Sequence, residues 1–389
     1  MTLPGGIAKQ DRVRGGPPCT RVTATVVALV LGVACGQGSG PIYIGLALPL
    51  TDSAVAPMRR GAALALEEIN AAGGVEGRRL ALIERDDRGD ADSAMRVASE
   101  LYESRAVAVI GSIYSGLTLA AAPIYNGGTH PLVQLAPSAS SPDLTDAGDY
   151  TFRLCSSDLA YGAALARWAY QRLGRRRAAV LYVNDEYGRG VRSTFTAEFG
   201  RLGGTVVEVS PFLAERPNVG PYLARMTEAK RADVLLLAAN IAEGERVLVQ
   251  VRAARLTLPV LGGDGFVGIE DRGSLAEGMF ISTGYLADET SPANQRFVEA
   301  YHKRYPEAIP PDQGAAATYD AVRLLGQVIA RAGPDRRRVR DALAEVGRTA
   351  PPYEGVVGTI AFDRNGDVPQ LAVQIGVVHD GRLVSAEAR

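Results

Sequence analysis

The chain has 389 residues and an almost even charge balance, with 42 Lys and Arg against 43 Asp and Glu. Removing residues 1–34, read below as a leader, leaves 38 basic residues against 42 acids, a mildly acidic balance that argues against a nucleic-acid partner. About 350 remaining residues exceed one ordinary core, so two domains are expected.

At the amino end, Lys9, Arg12, Arg14 and Arg21 precede an apolar run over 22–31, then Gly32-Val33-Ala34 and Cys35. This pattern predicts a secretory signal over 1–34, too short for a comfortable membrane span. Cys35 with the flexible stretch 36–40 reads as a lipid-modified cysteine on a tether, although a lipobox prefers Leu where Gly32 stands. Plain cleavage after Ala34 is the alternative. With Cys19 and Cys35 set aside, Cys155 stands alone, so no intramolecular disulfide is expected and a small buried residue is. His130, His302 and His379 are far apart in sequence and near no Cys, which argues against a metal site.

The first half alternates strands and helices. Strands are predicted at 42–48, 80–83, 106–110 and 132–135. Helices are predicted at 58–72, with Leu64, Leu66 and Ile69 at helical spacing and a stop at Gly73-Gly74, and at 91–102 and 117–125. Such βαβα order predicts an α/β fold with a parallel sheet covered on both faces. The pattern then begins again. Helices are predicted at 161–173 (Trp168 packed on its sheet), 191–202, 222–230 and 245–254, and strands at 178–183, 205–209, 234–238, 260–261 and 279–282. Helices at 292–305 (Ser291 cap, Pro292 first), 315–332 and 338–346 follow. The turn at 363–367 predicts a hairpin between strands at 359–362 and 371–379.

Two successive strands end in small, hydroxyl-bearing loops. Residues 106–110 run into Gly111-Ser112-Ile113-Tyr114-Ser115-Gly116, and 132–135 into Ala136-Pro137-Ser138-Ala139-Ser140. Ligands of open α/β sheets sit at the carboxyl ends of strands, where backbone N–H groups and the next helix's positive end meet an anion. Ordinary helix caps are the plainer reading for either loop alone. Catalytic signatures are missing: no Gly-x-Ser-x-Gly elbow, no Walker loop, no His-Glu-x-x-His. Gly263-Asp264-Gly265-Phe266-Val267-Gly268 matches a dinucleotide fingerprint, but Asp264 would aim a carboxylate at pyrophosphate and no long apolar helix follows. A carboxylate between glycines at a strand end suits an ammonium better, with a turn cap as the alternative. Asp363-x-Asn365-x-Asp367 starts like a calcium loop, yet Val368 stands where Gly is required.

In order and wording the chain resembles the periplasmic leucine/isoleucine/valine-binding proteins, the type I solute receptors of ABC importers. The resemblance runs from Ile44-Gly45-Leu46 and Gly61–Gly74 through Asp86-Asp87, the 111–118 loop, 137–142, Tyr187-Gly188-Arg189-Gly190 and Gly263-Asp264-Gly265 to 355–367. It implies two Rossmann-like α/β lobes with parallel-rich sheets, joined by a three-strand hinge and closing on a ligand. The lobes would be 41–154 with 284–355, and 155–283 with 356–389, after a tether at 35–40. It also implies roles. Ser115, with Tyr114 and Gly116 beside it, would hold a ligand carboxylate. Ser138, Ala139 and Ser140 would bind carboxylate and α-ammonium, and Asp264 would pair with the ammonium from the second lobe. Tyr187 would close the cleft, and Asn240 lies where a second aromatic often sits. Burying a zwitterion needs donors at one end and an acid at the other. Tyr187 as a turn aromatic, Ser138 as a cap and Asn240 as an Asx-turn residue are the local alternatives.

Two departures bear on the ligand. Residues 53–58 form a shorter loop without the usual aromatic, whose wall Tyr114 and Met58 would rebuild, and Asn240 makes the second lobe more polar. Branched-chain preference is therefore open, with polar amino acids, amides and aromatic acids beside it. The resemblance implies a monomeric, extracytoplasmic receptor, periplasmic or at the cell surface, with an ABC permease as partner and no cofactor, and the leader pattern adds a lipid anchor through Cys35. A sensory subunit without transport, or a cleft enzyme using Asp264 and Tyr187, are the other readings.

Overall fold

In the computed structural model Gly15 and residues 40–228 and 232–388 are described. The leader reading and the lipid-bearing Cys35 fall outside the described residues.

Apolar strands alternating with amphipathic helices build a first, wholly parallel sheet. Its parts are β1 (Ile42–Leu48), α1 (Ala56–Ala71), β2 (Leu80–Asp86), α2 (Ala91–Tyr102), β3 (Ala106–Ile110), α3 (Ser115–Asn126), β4 (Val133–Ala136) and β5 (Thr151–Arg153). The strand order is β2-β1-β3-β4-β5, with Leu46 opposite both Glu84 and Ile110. Every residue of β3 is buried, as both faces are covered.

The chain then leaves for a second sheet through α4 (Asp158–Arg167), β6 (Arg177–Val183), α5 (Glu186–Arg201), β7 (Thr205–Phe212), α6 (Gly220–Glu228), β8 (Val234–Ala238), α7 (Ile241–Ala253), β9 (Val260–Gly262) and β10 (Phe280–Thr283). Alternate residues feed opposite cores: Leu181, Leu235 and Leu237 pack with Phe266, whereas Val180 and Leu236 pack with Phe195 and Phe199. Trp168 lies on this second core, tilted against Phe280 at 5.8 Å, in a π-helical turn (Trp168–Arg172) that continues α4.

From β10 the chain returns to the first core as α8 (Pro292–Arg304), α9 (Gln313–Ala332), α10 (Arg336–Ala344), β11 (Tyr353–Glu354) and β12 (Thr359–Ile360). Val322, Leu325, Val339, Ile360, Phe362 and Val368 pack there with Ile44, Leu46 and Ile110. Helix α1 lies so close to α9 that a Cβ on Gly61 would stand 2.2 Å from the Ala315 carbonyl oxygen. A third crossing brings β13 (Gln374–His379) and β14 (Arg382–Ser385) to the second sheet, ordered β14-β13-β10-β9-β8-β6-β7, where β13 runs antiparallel to β10. The α/β expectation of two parallel-rich, Rossmann-like sheets is met.

The expected hairpin across 363–367 does not form. β12 pairs with β11, Tyr353 opposite Ile360, while β13 pairs with β10 and β14. Asp363 Oδ1 accepts the N–H groups of Asn365 and Asp367, at 2.8 and 3.0 Å, and Asp367 is pinned by the buried Arg153 at 2.7 Å. The turn is thus anchored to β5 and sends the chain across rather than back. The true hairpin joins β13 to β14 through Asp380-Gly381, at φ 48° and 71°, as an Asp-Gly pair favours.

Candidate functional site

Seven of the nine residues expected at the site line one cleft between the two sheets: Tyr114, Ser115, Gly116, Ser138, Tyr187, Asn240 and Asp264. Its volume is about 920 Å³, near the upper end for pockets that hold drug-sized ligands. Ala139 and Ser140 are buried and are not part of the lining. Ser140 stands beside the buried Asp158, and the Ala139 carbonyl accepts from the Cys155 thiol at 3.3 Å, which makes Cys155 the small buried residue expected.

One wall is the start of α3. Tyr114 occupies the cap position in extended conformation, and no side chain caps the first turn. The amides of that turn and the positive end of the helix are therefore left for a ligand. Ser115 is 3 % exposed, and its Oγ accepts the Ser141 N–H at 3.1 Å, which ties this turn to the loop after β4 and leaves the hydroxyl proton to donate. Tyr114 Oη reaches Asp52 at 3.4 Å, and Met58 lines the same side.

The opposite wall is built from the ends of β6, β8 and β9. Asp185 caps α5, its Oδ1 accepting the Gly188 N–H at 2.7 Å. Asn240 caps α7 in a box with Glu243, whose Oε1 accepts the Asn240 N–H at 2.8 Å. Asp264 opens a single 3-10 turn after β9, with Phe266 buried behind it, so no helix stands where a dinucleotide would need one. Tyr187 reaches over from α5, and its Oη accepts the Gly265 N–H at 2.8 Å. Tyr187 thus has a fixed task, positioning the Asp264 turn.

Asp264 is 7 % exposed and its Oδ1 has no hydrogen-bond partner. Burial pushes its carboxyl up to about 7, against the pull of Tyr187, its own amide and Gln313. Asp158 behind it is pushed well above the carboxylate range by burial and then by Asp264. A buried carboxylate that has hydrogen bonds but no paired cation is costly to ionise, so the site favours an arriving cation. The starts of α3 and α5 also come close: a Cβ on Gly116 would lie 2.8 Å from Glu186 Oε2.

Asp52, Asp185, Glu186, Glu243, Asp312 and Gln313 line the cleft without having been singled out in the sequence. Asp185 is the cap of α5 and Glu243 closes the capping box of α7, both at helix starts after strand ends, which is the local signal that could have found them. Elsewhere, His379 places Nδ1 2.9 Å from Glu277 and Nε2 3.3 Å from Asp380. Opposite ring nitrogens meet different carboxylates, the geometry of a clamp on the β13–β14 turn rather than of convergent metal ligands.

Two α/β layers crossed three times by the chain, with a polar cleft at the carboxyl ends of their strands, define a solute-receptor fold. A family model described as "Periplasmic binding protein" matches residues 41–382, and the chain belongs to that family, in its leucine/isoleucine/valine-binding branch. A "Leu/Ile/Val-binding protein homolog 3" of Brucella melitensis is 26% identical over 355 residues, spanning 89% of this chain and 94% of its own. Among solved structures, an ABC transporter substrate-binding protein of Desulfitobacterium hafniense in complex with Leu superposes with a TM-score of 0.77 at 29% identity, covering 89% of this chain and 99% of its own. The branched-chain amino acid transporter substrate binding protein LivJ of Streptococcus pneumoniae, in complex with isoleucine, reaches 0.80 at 25% identity, covering 89% and 98%. These relatives are solute-binding proteins rather than enzymes.

Proposed function

We propose that the protein is the extracytoplasmic receptor of an ABC importer, which takes an amino acid or close analogue between its lobes and delivers it to a membrane permease. One observation carries this reading: donors at the uncapped start of α3 and the buried carboxylate of Asp264, with Oδ1 unpartnered, stand on opposite walls of one cleft. A zwitterion fits that polarity, with its carboxylate on Ser115 and the α3 amides and its ammonium on Asp264. Nothing in the cleft needs to change the ligand covalently, so ligand should be recovered intact. The proposed lobes are 41–154 with the 284–368 return, and 155–283 with the chain from about 369. The return segment is extended past 355 because Val356, Ile360, Phe362 and Val368 pack in the first core.

A thermal-shift screen of amino acids, amides and aromatic acids, followed by calorimetry, tests the site. Removing one partner of a buried charge pair costs about 2–5 kcal/mol, so Asp264→Ala should weaken an amino-acid ligand by roughly 30-fold or more. Ser115→Ala removes one donor among several and should cost about 1–3 kcal/mol. An Asp264→Ala protein that binds as tightly as the parent would remove the ammonium from the reading and favour an acid or amide. The lipid anchor is proposed on the leader sequence alone. Mass spectrometry of the mature amino terminus should find a diacylglyceryl-modified Cys35, and an unmodified terminus would exclude it.

A further inference from the structure

The cleft carries far more negative charge than one α-ammonium requires. Asp52, Asp185, Glu186, Glu243, Asp264 and Asp312 line it, against a single lining cation, the exposed Arg88. Most of these acids have local work, but that work uses only part of each carboxylate. Asp185 caps α5 through Oδ1, and both Asn240 contacts fall on Glu243 Oε1. Glu186 is held by Arg189 at 2.9 Å, and Asp52 spans the Ala54 amide and Tyr114. Glu243 is 7 % exposed, and no cation is paired with it or with Asp185 among the described residues.

Resting on the amino-acid reading above, we propose that this receptor selects an amino acid whose side chain ends in a second cation, an ammonium or guanidinium, seated against Asp185 and Glu243. Asp264 serves the α-ammonium, as a buried carboxylate that lines the cleft and whose Oδ1 has no hydrogen-bond partner. Glu243 lies near both Asp185 and Tyr114 across the cleft, and Asp185 with Glu243 would seat the second cation beneath the Tyr114 hydroxyl. Burial pushes Asp185 up to about 6, with Glu243 and Glu186 adding to the burden and the Gly188 amide and Arg189 relieving it. A cation arriving there removes that penalty, and its attraction is strengthened by exclusion of water. Ile241, Ala242 and Val267 line the cleft beside these carboxylates, which gives the aliphatic stem of such a side chain apolar partners while its tip meets the acids. Asn240 stands beside Glu243, and the 53–58 loop brings no aromatic. The cleft volume leaves room for a long side chain.

Calorimetry on the full chain, dialysed free of ligand, would compare L-lysine and L-arginine with L-norleucine, which is lysine's chain without the ammonium. Lysine or arginine should bind at least tenfold more tightly than norleucine. Glu243→Gln and Asp185→Asn delete the charge while keeping the caps, because Gln serves in a capping box and Asn at a helix start. Each should reduce the lysine-to-norleucine ratio by about fivefold or more. Norleucine or leucine binding as tightly as lysine would overturn the cation preference and leave the amino-acid receptor standing. Failure of every amino acid to bind would overturn both readings together.

Discussion

Asp264 concentrates the chemistry of the site in one carboxyl group. It is buried, its Oδ1 is unpartnered, and it is pushed up to about 7 while Asp158 stands behind it. Burial raises Asp185 and Asp312 to about 6 and Glu270 and Asp320 to about 7. The sign of the consequence is fixed by linkage. The folded protein keeps protons that the unfolded chain has released above its ordinary carboxylate value near 4, so stability falls as pH rises from about 4 through about 7. Glu198, held down to about 2 by Arg201 and Arg167, works in the other direction but only at acidic pH, and it is a surface group. The ligand-free protein should therefore melt at a lower temperature at pH 8 than at pH 5. A cationic ligand should narrow that gap, since it stabilises the deprotonated carboxylates. Binding of an amino acid near pH 6.5 should also release protons, seen as a dependence of the measured enthalpy on buffer ionisation heat. A melting temperature that climbs from pH 5 to pH 8 without ligand would contradict this account.

At the scale of elements, the strands and helices of both halves were legible because nearly all are buried, periodic and closed by glycine or a cap. The strand at 234–238 is apolar at every position, and the helix at 91–102 shows its stripe of Ala94, Val97, Ala98 and Leu101. What escaped was short or held by distant partners. β5 has three residues, too few to display an alternation, and the 363–367 turn was misread because Arg153, more than 200 residues earlier, decides its path. Ser115, Ser138 and Asp264 were legible as cleft residues because they lie in loops at strand ends, and Tyr187 only through the family resemblance. Asp185, Glu243 and Asp312 look locally like helix caps, and only the fold brings them to one cleft with Asp264. The α1–α9 contact was equally hidden, since Gly61 sits in a helix where any small residue would serve locally. A Cβ there would meet the backbone oxygen of Ala315 at 2.2 Å, and backbone cannot swing aside as a side chain can. Gly61→Ala should destabilise the protein by about 1–3 kcal/mol despite its better helix propensity, read from the midpoint of urea unfolding. A stabilised variant would mean that α1 and α9 separate without cost.

Over the whole molecule, the three crossings between the sheets are fastened to one another. Arg153 at the first bonds Asp367 at the third and donates to the Ser140 and Ser141 carbonyls. Ser156 donates to the Leu371 carbonyl at 3.1 Å, and at the second crossing Thr283 pairs with Gln374 while Gln313 Oε1 accepts from Gly284 and Thr283. These bonds hold the crossings as a bundle, while between the cleft walls the starts of α3 and α5 meet around Gly116, a position without a side chain. We propose that the lobes rotate about the bundle and that ligand selects the closed arrangement, because only then can Ser115 and Asp264 touch the same molecule. Small-angle scattering should show a smaller radius of gyration with saturating ligand than without. Gly116→Phe gives the sharper test. Its ring would occupy the place of Glu186 at closure, so the variant should keep the larger, open dimensions at any ligand concentration and bind at least tenfold more weakly. Its unliganded melting temperature should stay within a few degrees of the parent's, because position 116 lies at the surface of the first lobe once the cleft is open. If parent and variant have equal dimensions with and without ligand, the cleft is rigid and ligand enters without lobe rotation.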